Sequence, residues 1–187
     1  SKSHPQHTLA NYIVDYYKNH EINNLVHYVN RIDREASGLV VVAKHRFIKF
    51  LLSEKIDNQI EFEYKAVVEG KMEAKDFDIC LPIKKQSDSF IRQVAEEGGD
   101  DCSTKYRVDK EFGKYSLLNI SVVGKVPHQI RVHLSFFEHP VVGDKLYNKH
   151  EYQVPLLLHC YKTRFIHPIT EAELNFSLDL PEYFNKL

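Results

Sequence analysis

Apolar residues along the 187-residue chain switch between helix-like and strand-like spacing, without internal repeats, low complexity or a convincing linker, and the pattern predicts a single domain. Thr8 is placed to cap a first helix whose Leu9, Ile13, Tyr16 and Tyr17 share one face, with Asn19 and His20 closing it. Residues 39–43 form an apolar, valine-rich run suited to a strand buried on both faces. Residues 46–56 carry Phe47, Phe50 and Leu51 at helical spacing. A strand is predicted over 60–68, an irregular stretch over 70–99, and a hairpin of strands 104–108 and 115–123 turning around Gly113. Pro127 opens a helix through Phe137, with Ile130, Leu134 and Phe137 inward, and Pro140 ends it. Strands over 156–166 and 174–178 close the domain.

Composition narrows the class. With 43% hydrophobic residues, 7 Gly and 7 Pro, the chain can bury one core and is neither fibrous nor disordered. Cys80, Cys102 and Cys160 show no C-x-x-C spacing and, being odd in number, cannot all pair within one chain. Reduced thiols in a cytoplasmic setting are therefore expected. No apolar run reaches the length of a membrane span, and residues 1–8 lack the apolar stretch of a signal peptide.

The formal net charge of -1 is not the basic balance that phosphate binding favours. The charges are unevenly placed, however. Residues 1–60 carry 8 basic and 6 acidic side chains, residues 120–150 carry 4 and 2, and residues 61–119 carry 10 and 13. A basic cleft on a near-neutral body fits that distribution.

Two segments draw attention for chemistry. Asn30 to Lys44 reads N-R-I-D-R-E-A-S-G-L-V-V-V-A-K, with Asp33 between Arg31 and Arg34 just ahead of Ser37-Gly38 and the apolar run. An isolated R-x-D-R is ordinarily a solvated surface pair. Here the flanking guanidiniums favour an ionised carboxylate, as a carboxylate nucleophile requires, and the following turn feeds a strand able to fix it in space. Pro127 to Asp144 reads P-H-Q-I-R-V-H-L-S-F-F-E-H-P-V-V-G-D. Arg131 falls in the first turn of its helix, where the dipole disfavours a cation, so it should reach a carboxylate, either Glu138 or one elsewhere. His128 and Gln129 at the helix start read as caps or as phosphate contacts. Tyr64 alternates with Phe62 and Ala66 on one strand face, the pattern of a core aromatic. The 11 histidines include no H-E-x-x-H, and no G-x-G-x-x-G, P-loop or G-x-S-x-G occurs, so neither metal nor cofactor is expected.

The two segments together resemble the RluA-like family of pseudouridine synthases, whose usual forms are H-R-L-D-x-x-T-S-G-L and H-Q-I-R-V-H-L. Further blocks agree in order: Tyr64 to Gly70 with Y-x-A-x-V-x-G, Gly143-Asp144 and Tyr147 with G-D-x-x-Y, Leu156 to Cys160 with L-L-L-H-A, and Phe165 to Thr170 with F-x-H-P-x-T. Thr8 to Asn11 is similar to the family's T-L-A-N, but the strand and K-P-x-G segment expected before it are absent. Residues 1–187 are therefore expected to be a pseudouridine synthase catalytic domain truncated at its N-terminus. Asn30 stands in place of the usual histidine, Ala36 of the usual threonine, and Lys125-Val126-Pro127 of Gly-Arg-Thr. These departures leave the aspartate untouched and bear on substrate choice.

The resemblance implies an α+β fold, a mixed and largely antiparallel sheet flanked by helices, and isomerisation of uridines in structured RNA without a cofactor. It makes Asp33 the nucleophile and Arg131 its partner. Tyr64 then lines the uridine pocket, stacking on the base and assisting proton removal. A uridine in folded RNA must be unstacked before its glycosidic bond is reached, and Arg31 is the candidate to fill the gap. Arg34, Lys44, Lys125, His128, Gln129 and Ile130 are the further RNA-contact candidates. Ribosomal RNA is favoured over transfer RNA as partner, with a monomer and a cytoplasmic location expected. Two rivals exist: a non-catalytic RNA-binding or ribosome-assembly module of the same fold, and a carboxylate glycosidase, which needs a second acid that no motif nominates.

Overall fold

The computed structural model describes residues 7–55, 60–87, 89–124 and 126–186. Thr8 caps α1 (Leu9–Asn19): its hydroxyl accepts from the Asn11 N–H at 3.3 Å, and the Asn11 side chain accepts from the Thr8 N–H at 3.0 Å, a reciprocal capping box. The predicted apolar face is only partly used, because Tyr17 is buried while Leu9 and Tyr16 stay exposed. In α2 (Arg46–Lys55) the buried stripe is Ile48 and Leu52, one turn apart, whereas Phe47 and Phe50 face outward. Ile56, at the end of the predicted helix, lies outside the described residues.

The main sheet is built on β4 (Ile60–Glu69), which pairs antiparallel with β9 (Tyr115–Val123) on one side and β10 (Leu158–Ile166) on the other. Beyond β9 come β8 (Ser103–Phe112) and β5 (Asp76–Ile79). Beyond β10 lie β11 (Glu173–Ser177) and the two-residue β2 (Ser37–Gly38), which pairs parallel. The β8–β9 hairpin turns at Gly113 as expected and is longer than its apolar pattern indicated. Residues 70–99 are more ordered than expected, supplying β5 and a separate hairpin of β6 (Ile83–Lys85) and β7 (Arg92–Val94). Their few residues and charged K-K and R-Q pairs give no readable alternation.

Residues 39–43 are not one buried strand. Only β3 (Val42–Ala43) is extended in a ladder, pairing with β1 (His27–Tyr28), and the gap is bridged by the buried Asn30. Its Oδ1 accepts from the Val41 N–H at 2.7 Å and its Nδ2 donates to the Leu39 carbonyl at 3.4 Å, side-chain bonds in place of a ladder.

α3 (Gln129–Phe136) starts later than expected, because His128 before it sits in the left-handed region at φ 62° and Pro127 belongs to the preceding turn. Phe137 leaves the core and meets Phe77 edge-on at 6.1 Å. Ile130 and Leu134 do face inward. They pack with Ala66, Val68, Leu118, Ile120 and Leu158 on one sheet face, while Val67, Val142, Leu157 and Phe184 fill the other. Each fully buried side chain of this kind contributes about 1.5–3 kcal/mol. Among the described residues no helix is long and apolar enough to cross a membrane.

Glu69, at the end of β4, ties the segment after α3 to the sheet. Its carboxylate accepts from Asn148 Nδ2 at 2.7 Å and Tyr152 OH at 2.8 Å, and lies 2.8 Å from His150 Nδ1. Burial alone would raise its pKa, but these hydrogen bonds outweigh burial and hold it below the usual carboxylate range. A carboxylate with a depressed folded pKa contributes stability that is complete above its unfolded pKa, roughly 4.3, and is lost as pH falls through the folded value. Glu69→Gln should therefore lower the melting temperature near neutrality and flatten the acid limb of Tm against pH. An unchanged acid limb would show that this carboxylate is not a source of the pH dependence.

Candidate active site

Asp33 sits on a tight turn closed by the Ala36 N–H donating to the Asp33 carbonyl at 3.1 Å, and β2 seats that turn on β10. Gly38 is essential to the seating: at φ +115° it lies so close to β10 that a Cβ would fall 2.2 Å from the Cys160 carbonyl oxygen. Ser37 adds a side-chain anchor, its hydroxyl 2.7 Å from His159 Nδ1 and 2.7 Å from Tyr183 OH. Gly38→Ala should destabilise the fold by about 1–3 kcal/mol from the backbone alone, with the clash added. Denaturant unfolding measures this, and wild-type stability would mean that the Asp33 turn is not held by β10.

Arg131 emerges from the first turn of α3 and is buried. Its Nη1 donates to Asp33 Oδ2 at 3.0 Å, while Nε and Nη2 make a bidentate pair with Asp144, both at 2.7 Å. The alternative partner, Glu138, is exposed and not engaged. Asp144 is also buried, and its Oδ1 further accepts the N–H groups of Leu146 and Tyr147. Burial disfavours the guanidinium charge, but hydrogen bonds and charges from Asp144 and Asp33 outweigh it and raise the Arg131 pKa. The arginine is thus a fixed cation clamped by one fully buried carboxylate and offered to a second that is part-exposed. The Tyr147 ring lies 5.2 Å from the guanidinium, and its hydroxyl joins His128 Nδ1 at 2.8 Å and the Arg92 N–H at 3.0 Å. Burial, foremost, lowers the His128 pKa, so the imidazole tends to stay neutral.

Asp33 opens into a cleft of about 670 Å3 lined also by Arg31, Tyr64, His128, Gln129 and Ile130. Tyr64 is partly buried against the core. Burial, then the neighbouring Cys160, raises its pKa, so it stands in the cleft as a neutral phenol. Burial also pushes the Cys160 thiol up to about 12, which keeps it unreactive. Arg31 is exposed at the cleft. Gln129 is buried, with Nε2 donating to Ser103 O, Val123 O and Thr104 Oγ1, so it braces α3 against the β8–β9 hairpin. Arg34 and Lys44 are exposed and do not line the cleft, and the Lys44 ammonium lies 6.0 Å from the Tyr16 ring. Lys125 lies outside the described residues. Asp144 and Tyr147 were present in the sequence as G-D-x-x-Y, but spacing alone could not show that they brace Arg131. The Ser37, His159 and Tyr183 anchor had no local signal. Among the described residues no cluster of three or more His, Cys, Asp or Glu could hold a metal.

The family described as RNA pseudouridylate synthase matches residues 2–136. The chain belongs to that family. It is 34% identical over 189 residues to an uncharacterized RNA pseudouridine synthase of Bacillus subtilis, covering 100% of this chain and 67% of that protein. A second uncharacterized RNA pseudouridine synthase of Bacillus subtilis is 33% identical over 181 residues, 92% of this chain and 60% of its own length. Ribosomal large subunit pseudouridine synthase D of Yersinia pestis is 30% identical over 196 residues, 95% and 59% of the two chains. The chain thus spans roughly three fifths to two thirds of these relatives' length. The solved structure of human RNA pseudouridylate synthase domain containing 1 superposes with a TM-score of 0.74 at 19% identity, over 82% of this chain and 69% of that one. The α+β fold and the RluA-like resemblance are borne out.

Proposed function

We propose that this chain is the catalytic domain of an RNA pseudouridine synthase and that Asp33 is its nucleophile. The observation that carries the reading is the placement of the Asp33 carboxylate at the cleft, 3.0 Å from a buried arginine and beside Tyr64. A uridine flipped from folded RNA enters the cleft, with Arg31 filling the space it leaves and Tyr64 packed on the uracil. Asp33 attacks the nucleoside and forms a bond to it, the N1–C1′ bond breaks, the base turns, C5 bonds to C1′, and the bond to Asp33 breaks to return the free carboxylate. C5 gives up its proton and N1 gains one, so composition is unchanged and no oxidant, reductant or cofactor is required. Arg131, donating to Asp33 Oδ2 at 3.0 Å, keeps the carboxylate oriented throughout.

The proposed substrate is ribosomal RNA, on the strength of relatives named as ribosomal large subunit pseudouridine synthases. Pseudouridine mapping of total RNA from cells with and without the gene tests both points. The expected result is loss of one or a few ribosomal sites, restored by the purified protein. An unchanged pseudouridine map, with no sites formed by the purified protein, would overturn the activity, whereas sites lost only from transfer RNA would overturn the substrate.

A further inference from the structure

The cleft extends well past the groups that serve Asp33. Ile60, Phe62 and Tyr64 alternate along β4, fall on one face and all line it. At about 3.3 Å rise per residue, Phe62 stands roughly 7 Å along the strand from Tyr64. That is about twice the roughly 3.4 Å spacing per nucleotide along one strand of a DNA duplex, room for a neighbouring base drawn out of its stack. The cleft is also lined by Lys49 and Ser53 of α2, one helical turn apart, and by Tyr28 of β1. Among the described residues, the Lys49 ammonium and the Ser53 and Tyr28 hydroxyls have no hydrogen-bond or ion-pair partner. The Asp33 end contrasts with this, since there Arg131 is bonded to Asp144 and Asp33, and His128 to Tyr147.

We infer that this distal half of the cleft is a second nucleotide subsite, which takes the residue adjoining the target uridine. The inference rests on the reading of the chain as an RNA pseudouridine synthase. Phe62 offers the neighbour's base a surface to stack on, Lys49 pairs with its phosphate, and the Ser53 and Tyr28 hydroxyls bond its phosphate or 2′-hydroxyl. An aromatic face with a nearby cation and hydroxyl donors is the combination by which proteins hold unstacked RNA. Among the described residues of this half the one lining cation, Lys49, suits a single phosphate, not a longer backbone track.

The test uses deproteinised total RNA from cells lacking the gene, which contains the unmodified target whichever RNA holds it. Wild type, Phe62→Leu and Lys49→Met are compared by time courses of pseudouridine formation at limiting and at saturating RNA. The expected result is a loss of about fivefold to a hundredfold in kcat/KM for Phe62→Leu, as for loss of one stacked base, and a smaller loss for Lys49→Met. The single-turnover rate at saturation should be unchanged for both. Because Phe62 also packs against the core formed with Leu52 and Ile60, the exposed Lys49 keeps the test informative if Phe62→Leu melts early. Once the site is mapped, an RNA with an abasic residue beside the target should abolish the difference between wild type and Phe62→Leu. Variants as fast as wild type at limiting RNA, or slowed equally at saturation, would overturn the subsite while leaving the synthase reading intact. Inactive wild type would overturn that reading, and the subsite with it.

Discussion

Asp33→Asn should abolish pseudouridine formation, by on the order of a thousandfold or more, while RNA affinity stays within about tenfold of wild type. The amide matches the carboxylate in shape and still accepts from Arg131 Nη1, so the turn over β2 keeps its geometry. Its oxygen carries no full charge and cannot form or release the bond to the nucleoside. The fold should tolerate the change, because the guanidinium keeps its bidentate pair with Asp144 and Asp33 is itself part-exposed. Single-turnover rates on a mapped substrate, paired with filter binding, read both quantities. Appreciable turnover by the variant would remove Asp33 from the nucleophile's place.

Much of this geometry was legible in the sequence because it is local. The Thr8 cap, the β4 run and the β8–β9 hairpin each announce themselves through spacing of a few residues. The facing of Arg131 and Asp33, 98 positions apart, was readable only through the family resemblance, and the structure places them 3.0 Å apart. Features that depend on long-range fit stayed hidden. Asn30 replaces a strand ladder with its own side chain, so a valine-rich run that looks like a buried strand is not one. His128 adopts the left-handed region at φ 62°, which moves the start of α3 past the proline that conventionally marks it. Phe47 and Phe50 have helical spacing yet face outward, because the neighbours of α2 set which stripe is covered. Asp144 is the clearest case at the site. A carboxylate in a G-D-x-x-Y run looks like a turn residue, and only the packing of α3 against the following loop makes it the buried half of the arginine clamp.

That clamp supports the second large prediction. Arg131 and Asp144 are both almost fully buried, so removing either charge strands the other in a medium that solvates it poorly. Arg131→Met leaves the Asp144 carboxylate with the Leu146 and Tyr147 N–H groups alone, and Asp144→Asn leaves the guanidinium with Asp33 as its one counter-charge. Each single change should cost about 3–5 kcal/mol of stability. The double variant Arg131→Met with Asp144→Asn removes both charges together, while the asparagine oxygen still accepts the two backbone N–H groups. It should therefore be more stable than the sum of the single losses allows, by at least about 1 kcal/mol. Recovery of stability should not bring back chemistry, since Asp33 then faces a thioether in place of a cation. Denaturant unfolding of the four proteins, with pseudouridine assays at a temperature where all are folded, separates the two effects. Additive losses in stability would show that the pair is not coupled, and an active double variant would show that Asp33 works without the arginine.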